Sequence, residues 1–346
     1  MAVTVLTNNI AAQLQLLADH RRSFRYVAVD TEFPGFIRST PPYASEEDLY
    51  ADVKYNVDSM KLIQLGIALF DENGNTPWQG CCWQFNFSDF DPSVHPSSPK
   101  SLELLRRSGH DLERNRREGI DCDKWSNILR NKLFDRRYGS VYVTFHGLYD
   151  VAYVIKLVTG GAPLPATLRE FTAAARRVFG TFYDIKYIAK YCDGFRGREL
   201  GLARLAQELG VDRDGTAHQA AYDSLTIGRV FDKMKRRFNF EGNDRFISVL
   251  YGLENSYMES KKKYQRSLMA YHPYYVVWFQ AHSGIPPPPM SVFLPQVGPP
   301  PPPMSVFRPQ VGPPSYQAHG VPTSPRPPSY HGHISGLRFL DGVRES

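Results

Sequence analysis

Two acidic residues, separated by one residue, stand at the end of an apolar stretch in the segment VAVDTEF. If this stretch is a strand, Asp30 and Glu32 point to the same face, because side chains alternate along a strand. Carboxylates that close together repel each other unless a cation neutralises them, so the pair indicates a metal site. The alternative is that the strand enters solvent at Asp30 and that Glu32 is an ordinary loop acid.

Three further residues could join this pair. Asp150 ends the segment TFHGLYD, where a strand is predicted to give way to a helix, and an aspartate in that place is also a good helix cap. Asp223 lies near the start of a predicted helix in HQAAYDSLTIGRVF, five residues after His218. Five positions on a regular helix are about 140° apart. Both side chains therefore share one site only if the helix begins, or is distorted, between them.

As a set, these residues fit phosphodiester hydrolysis. Four carboxylates could hold two divalent cations through oxygen ligands, and such a pair of ions can clamp the attacking and leaving oxygens. His218 could take the proton of the attacking water, since the unperturbed pKa of histidine is near neutrality. The carboxylates are Asp30, Glu32, Asp150 and Asp223.

Hydrophobic patterns predict the elements that must position these residues. Strands are predicted over residues 25–31, 60–70, 82–87, 141–145 and 182–183. Helices are predicted over 10–20, 101–107, 112–118, 125–132, 151–158, 167–177, 202–209 and 219–237. An antiparallel meander followed by alternating helices and strands predicts an α/β fold, with a mixed sheet flanked by helices. This order matches a ribonuclease-H-like fold.

At the acidic motifs the sequence resembles the DEDD exonucleases that carry a histidine five positions before the last aspartate. Gln219 occupies the position at which the other subgroup has tyrosine. VAVDTEFPGF, TFHGLYDVAYVIKLVTG and HQAAYDSLTIGRVFDKM are similar to the CAF-type poly(A) deadenylases of the CCR–NOT complex, and the likeness covers about residues 8–252.

This resemblance implies a 3′-to-5′ exoribonuclease that removes poly(A) from mRNA, releases adenosine monophosphate and uses two Mg²⁺ or Mn²⁺ ions. It implies that Asp30, Glu32, Asp150 and Asp223 are metal ligands and that His218 is the general base. The implied partners are poly(A) RNA, a large scaffold subunit and a second deadenylase, and the implied location is cytoplasm and nucleus. Two alternatives stay open: a DEDD exonuclease acting on other single-stranded substrates, and a subunit that serves mainly as a scaffold.

The chain departs from the family pattern beside two of the key residues. Gly147 and Leu148 replace Ser-Gly before Asp150, and Ala221 and Tyr222 replace Gly-Ser before Asp223. Because Tyr222 is next to the predicted metal ligand Asp223, the sequence does not determine the rate of hydrolysis or the preference for a base. Phe33, Phe36 and Tyr153 are candidates for stacking on RNA bases, with core packing as the alternative for each.

Composition divides the chain of 346 residues into two parts. Of its 27 prolines, 17 follow Gly284, in a tail that contains PPPPMSVFLPQVGPP and the near-copy PPPMSVFRPQVGPP. We predict a nuclease domain over residues 1–252 and a linker with a disordered proline-rich tail over 253–346, whose partner is unknown.

The net charge of +6 is only mildly basic. No apolar run is long enough to predict a membrane span, and the four cysteines lack metal-site spacing.

Overall fold

The computed structural model describes residues 2–256, all of which belong to one compact unit. Its strands are β1 (Ala2–Val5), β2 (Tyr26–Glu32), β3 (Gln64–Phe70), β4 (Cys82–Asn86), β5 (Val141–Thr144) and β6 (Thr181–Asp184). Its first five helices are α1 (Ile10–His20), α2 (Glu46–Ser59), α3 (Pro99–Arg107), α4 (Leu112–Glu118) and α5 (Cys122–Leu133). The others are α6 (Leu148–Val158), α7 (Leu168–Phe179), α8 (Ile185–Ala189), α9 (Leu202–Glu208) and α10 (Ala220–Phe238).

The six strands form one mixed sheet in the order β1-β4-β3-β2-β5-β6. β2, β3 and β4 form an antiparallel meander, whereas β5 and β6 run parallel to β2. This confirms the predicted mixed α/β fold. The prediction missed β1, which pairs in parallel with β4 at the edge of the sheet.

Helices cover both faces of the sheet, which explains why every residue of β3 is buried. α10 packs against the central strands β2 and β3, and it extends to β4 and β5. α6 packs against β2, and α2, α5 and α7 pack in turn against α6. The two helices that carry Asp150 and Asp223 therefore both lie against the strand that carries Asp30.

Glycine allows α10 to approach the sheet closely. A Cβ atom at Gly66 of β3 would overlap the backbone carbonyl of Ala220, the first residue of α10. A Cβ atom at Gly228 would overlap the ring of Phe70 in the same way. The two glycines thus fix the height of α10 above the sheet at both its first turn and its middle.

Three predictions about helices need correction, the first of which is that the short α8 (Ile185–Ala189) was not predicted. The helix after β5 begins at Leu148, with Gly147 as its N-cap, and not directly after Asp150. Asp150 is therefore a residue of the first turn and not a cap. The prediction also missed α2, although Ser45 accepts a hydrogen bond from the Asp48 N–H in a standard N-cap, and three acidic residues follow it.

The part of the chain that was predicted to be a proline-rich tail lies outside the described residues. Packing continues slightly beyond residue 252, since Leu253 is fully buried and the backbone N–H groups of Asn255 and Ser256 bind the carboxylate of Glu46. The domain boundary at 252 stays a prediction. Among residues 2–256, no helix combines the length and the apolar character that a bilayer span requires.

Candidate active site

The site begins at the end of β2, where Asp30 and Glu32 are both half-buried. Asp30 stands opposite Gly66 in the antiparallel pair with β3. Because Gly66 contacts the first turn of α10, and because side chains alternate along a strand, Asp30 and Glu32 face α10. Thr31 faces the opposite layer, which contains α6.

Asp150 reaches the same strand from α6. Its buried carboxylate accepts a hydrogen bond from the Thr31 hydroxyl at 2.6 Å from Oδ1. The turn before α6 is also fixed, because the carboxylate of Asp184 accepts hydrogen bonds from the backbone N–H groups of His146 and Gly147 at 2.8 and 3.0 Å. Asp150 is thereby held against the end of β2.

Asp223 enters from the first turn of α10, where its carboxylate is buried. Its Oδ2 accepts a hydrogen bond from the backbone N–H of His218 at 2.9 Å, and its Oδ1 pairs with the guanidinium of Arg213 at 2.8 Å. Helix α10 begins at Ala220, and His218 has a left-handed backbone with φ of 61°. The helix thus begins between His218 and Asp223, which allows their side chains to share one site despite a spacing of five residues.

The five predicted residues lie close to one another at the end of β2, although only Glu32, His218 and Asp223 form a group tight enough for one ion. One ligand atom each from Glu32, His218 and Asp223 lies within 4.8 Å of the others. Burial, together with the charges of Asp150 and Asp223, raises the pKa of Asp30 well above its usual value. Burial and the same two charges also raise the pKa of Glu32. A cluster of this kind gains by binding positive charge.

The pKa of Asp150 is raised to about 7, chiefly because its carboxylate is removed from water. The hydrogen bonds from Thr31 act in the opposite direction and favour the ionised form. The ionised form of Asp150 is therefore only partly stabilised by its hydrogen-bond donor. A bound cation would stabilise it further.

Two residues that the sequence analysis missed hold this site together. The buried imidazole of His110 bonds the backbone carbonyl of His218 through Nε2 at 2.6 Å. Since a carbonyl can only accept, Nε2 of His110 must carry the proton. Arg213 is the other, and it lies five residues before His218. Neither residue belongs to a recognisable motif, so no signal in the sequence identified them.

The three candidate stacking residues have different environments. Tyr153 is 1% exposed and stacks on Phe33 with ring centroids 4.9 Å apart, so it is a core residue. Phe33 is partly buried against the core. Phe36 is 50% exposed, and its ring meets Phe33 and Tyr149 edge to face. Of these three, Phe36 alone offers a large free surface.

The departures from the family pattern are accommodated by packing. Leu148 and Ala221 are buried. The ring of Tyr222 covers Gly215, where a Cβ atom would overlap it and where φ is +67°. Tyr222 therefore supports the loop that carries Arg213 and leads to His218.

Comparison with known proteins gives a consistent result. The family model described as CAF1 family ribonuclease matches residues 5–128 and 127–231. The chain is 43% identical over 225 residues to the putative CCR4-associated factor 1 homolog 8 of Arabidopsis thaliana, which covers 65% of this chain and 92% of that protein. It is 36% identical over 253 residues to the poly(A) ribonuclease pop2 of Schizosaccharomyces pombe, covering 72% of this chain and 74% of that one.

Solved structures agree with these relatives. The Mg²⁺- and Mn²⁺-bound form of S. pombe Pop2p superimposes with a TM-score of 0.67 at 34% identity, covering 73% of this chain and 99% of that chain. A structure of the yeast NOT1 MIF4G domain co-crystallized with CAF1 gives a TM-score of 0.62 at 25% identity, covering 72% of this chain and 96% of the matched chain.

Proposed function

Because the chain belongs to the CAF1 family of ribonucleases, we propose that it is a poly(A)-specific 3′-to-5′ exoribonuclease that releases adenosine monophosphate. The observation that carries this proposal is the proximity of four acidic residues and one histidine at the end of β2. They come from three separated segments, namely β2, α6 and the start of α10. No packing role requires this many carboxylates at one point.

The side chains present fit hard divalent cations such as Mg²⁺ or Mn²⁺. All four carboxylates offer oxygen ligands. Burial and then repulsion from Asp150 and Asp223 raise the pKa of both Asp30 and Glu32. Asp30, Glu32, Asp150 and Asp223 would hold the cations, and the proposed number is two. When bound, the cations would supply positive charge that stabilises the phosphate oxygens during displacement. The Mg²⁺ and Mn²⁺ bound to S. pombe Pop2p support this proposal.

His218 is proposed as the general base. An imidazole nitrogen would take a proton from the water that attacks phosphorus in the last phosphodiester of the RNA. The bond from phosphorus to the 3′-oxygen of the penultimate nucleotide then breaks, and that oxygen gains a proton. The backbone of His218 is fixed on both sides, since its N–H binds Asp223 and its carbonyl binds His110. These two backbone contacts position the imidazole, so its ring nitrogens are not needed to hold it in place.

We also propose that the protein acts within a CCR4–NOT complex, in cytoplasm and nucleus. The similarity to a chain co-crystallized with the NOT1 MIF4G domain supports a large scaffold subunit as partner. A second deadenylase as a further partner rests on the family resemblance alone. A site variant that still fully supports mRNA decay in cells would favour the alternative of a mainly scaffolding subunit.

The direct test is timed digestion of a 20-nucleotide adenylate RNA (A20) by the full chain with Mg²⁺, with Mn²⁺ and with EDTA. We expect shortening with release of adenosine monophosphate only when a divalent ion is present, and loss of activity in Asp30→Ala. The matched control is Asp193→Ala, because the side chain of Asp193 is 98% exposed. Full activity in Asp30→Ala would contradict the site assignment.

Base preference needs a separate comparison, between A20 and a mixed-base RNA of equal length. We expect faster digestion of A20. Equal rates would contradict poly(A) specificity and would favour a general single-strand exonuclease.

A further inference from the structure

Helix α3 is tied at both ends to the segments that form the active site. At its N-terminal end, the backbone N–H of Ser98 binds the carbonyl of Pro34 at 2.8 Å, two residues after Glu32. There Gly35 is so close to Ser101 that a Cβ atom would overlap the serine hydroxyl. At its C-terminal end, the side-chain amide of Gln219 binds the carbonyl of Ser108 at 2.6 Å. α3 therefore extends from the segment that follows β2 to the segment that precedes α10.

One exposed face of this helix carries positive charge. Lys100, Glu103, Leu104 and Arg107 occupy positions i, i+3, i+4 and i+7, which share a face, so this face carries two cations and one anion. No carboxylate pairs with Lys100 within residues 2–256. Arg107 pairs with Glu103 at 2.9 Å, but both side chains are more than half exposed, so the pair is weak and open to competition. The two cations stand about 10 Å apart along the helix axis.

An exposed aromatic ring adjoins the N-terminal end of α3. Phe36 follows Gly35 directly, and its ring is held against Phe33 and Tyr149 while half of its surface stays free. The next residues are clamped as well: the buried side chain of Asn56 accepts from the backbone N–H groups of Ile37 and Arg38, both at 2.9 Å. The ring is therefore rigidly presented.

We propose that Phe36 and the Lys100–Arg107 face of α3 form the track along which single-stranded RNA leaves the active site. A base of the RNA stacks on Phe36, and two phosphates of its backbone contact Lys100 and Arg107. An aromatic surface combined with cations is the arrangement that binds single strands. The inference rests on the proposed function, because the RNA reaches this surface from the active site.

Two local explanations compete with this inference. Basic residues in the last turn stabilise a helix through its dipole, and single exposed apolar residues are common on protein surfaces. Both explanations predict an effect on stability and none on RNA binding. A protein partner for this surface would likewise leave RNA binding unchanged.

The test for the cations is binding of fluorescein-labelled A20, measured by anisotropy between 50 and 200 mM KCl with Ca²⁺ present. For the full chain carrying Lys100→Ala and Arg107→Ala, we expect roughly tenfold weaker binding at 100 mM KCl. The slope of log affinity against log salt should be shallower by about 1.4, because each phosphate contact on a single strand contributes about 0.7.

Arg106→Ala is the matched control for the cations. It removes the same charge from the same helix, about 100° around the axis from Arg107, and we expect its salt slope to equal that of the unaltered chain. An unchanged slope in the double variant would overturn the inference. So would an equal reduction in Arg106→Ala, which would show a general effect of net charge.

Phe36 is tested by Phe36→Ala and Phe36→Tyr in the same assay. We expect about tenfold weaker binding for the alanine variant, as for loss of one stacked base, and nearly full affinity for the tyrosine variant. Equal affinity in both would overturn the stacking role. Binding is measured without hydrolysis, so failure of the unaltered chain to digest A20 would contradict only the proposed function. Failure of the unaltered chain to bind A20 would overturn the track.

Discussion

His218 is held through its backbone, which leaves its side chain available for chemistry. Its N–H donates to Asp223 and its carbonyl accepts from His110, and the left-handed conformation at this residue turns the chain into α10. A residue whose backbone is fixed in this way can change the contacts of its side chain without losing its position. Because the imidazole does not hold this backbone in place, its replacement should affect catalysis and leave the fold unchanged.

Replacing His218 by alanine should therefore lower kcat for A20 and change KM little. The expected loss is about 10²–10⁴-fold, the usual contribution of a general base. Steady-state kinetics with Mg²⁺ measure it, and His95→Ala is the control, because His95 bonds the backbone N–H of Asp91 in a loop before α3. A kcat within threefold of the unaltered value would rule out general base catalysis by His218.

Asp150 should make the metal-free protein less stable as the pH rises. Its pKa in the folded chain is about 7, above the usual carboxyl value, so the folded state binds more protons than the unfolded state between about pH 4 and 7. Raising the pH through this range therefore lowers the free energy of unfolding. Urea unfolding in EDTA at pH 5 and pH 8 measures the effect.

Asp150→Asn should reduce that pH dependence, and adding Mg²⁺ in place of EDTA should stabilise the unaltered chain most at pH 8. An Asp150→Asn variant with the same difference between pH 5 and pH 8 as the unaltered chain would contradict this expectation.

At the scale of elements, the contact between α10 and β3 sets the distance between Asp223 and Asp30. Gly66 stands opposite Asp30 and directly below Ala220. Gly66→Ala should displace the start of α10 and lower kcat by about 100-fold, because a shift of about 1 Å in a catalytic group can have this effect. The measurement is kcat for A20, with circular dichroism to show that the fold is kept. Unchanged kcat would show that α10 is not positioned by this contact.

Asp184 joins three segments around the site. Its fully buried carboxylate accepts hydrogen bonds from the backbone N–H groups of His146, Gly147, Lys186 and Tyr251. Asp184→Asn removes one acceptor oxygen and the charge, and we expect the free energy of unfolding to fall by about 3 kcal/mol.

Urea unfolding measures the change in Asp184→Asn. Asp121→Asn is the control, because Asp121 caps α5 and asparagine caps a helix equally well. Equal stability of the two variants would argue against Asp184 as an organising residue.

Patterns within single elements were predictable from the sequence, whereas contacts between elements were not. The bounds of α1 agree with the predicted range, because Ile10, Leu14 and Leu17 recur at helical spacing. The bounds of α4 agree as well, although that helix has only one apolar residue, Leu112. The set of acidic residues was visible as motifs, but the position of Asp150 inside α6 was not, since Gly147 gives no strong cap signal. The buried Arg21, which bonds Ser140, Tyr142 and the carbonyl of Lys132, appears in the sequence as an ordinary surface residue.

At the scale of the whole molecule, the five candidate site residues lie between positions 30 and 223 of the 346-residue chain. A chain that ends at Gly284 should therefore digest A20 with kcat/KM within about threefold of the full chain, since the removed part contains none of the site residues. Parallel assays of the two chains measure this. A tenfold loss in the shorter chain would show that the proline-rich part takes part in hydrolysis or RNA binding.

The hydrogen bond between Thr31 and Asp150 spans 119 residues of the chain, and the one between Gln64 and Ala220 spans 156. During synthesis, the ribosome must therefore release almost the whole nuclease domain before the active site can form. Contacts between such distant segments also form slowly, because the intervening chain loses much conformational entropy. We therefore expect a nascent or truncated chain that lacks α10 to have no nuclease activity, since Asp223 and the contacts of its helix with β2 and β3 would be missing.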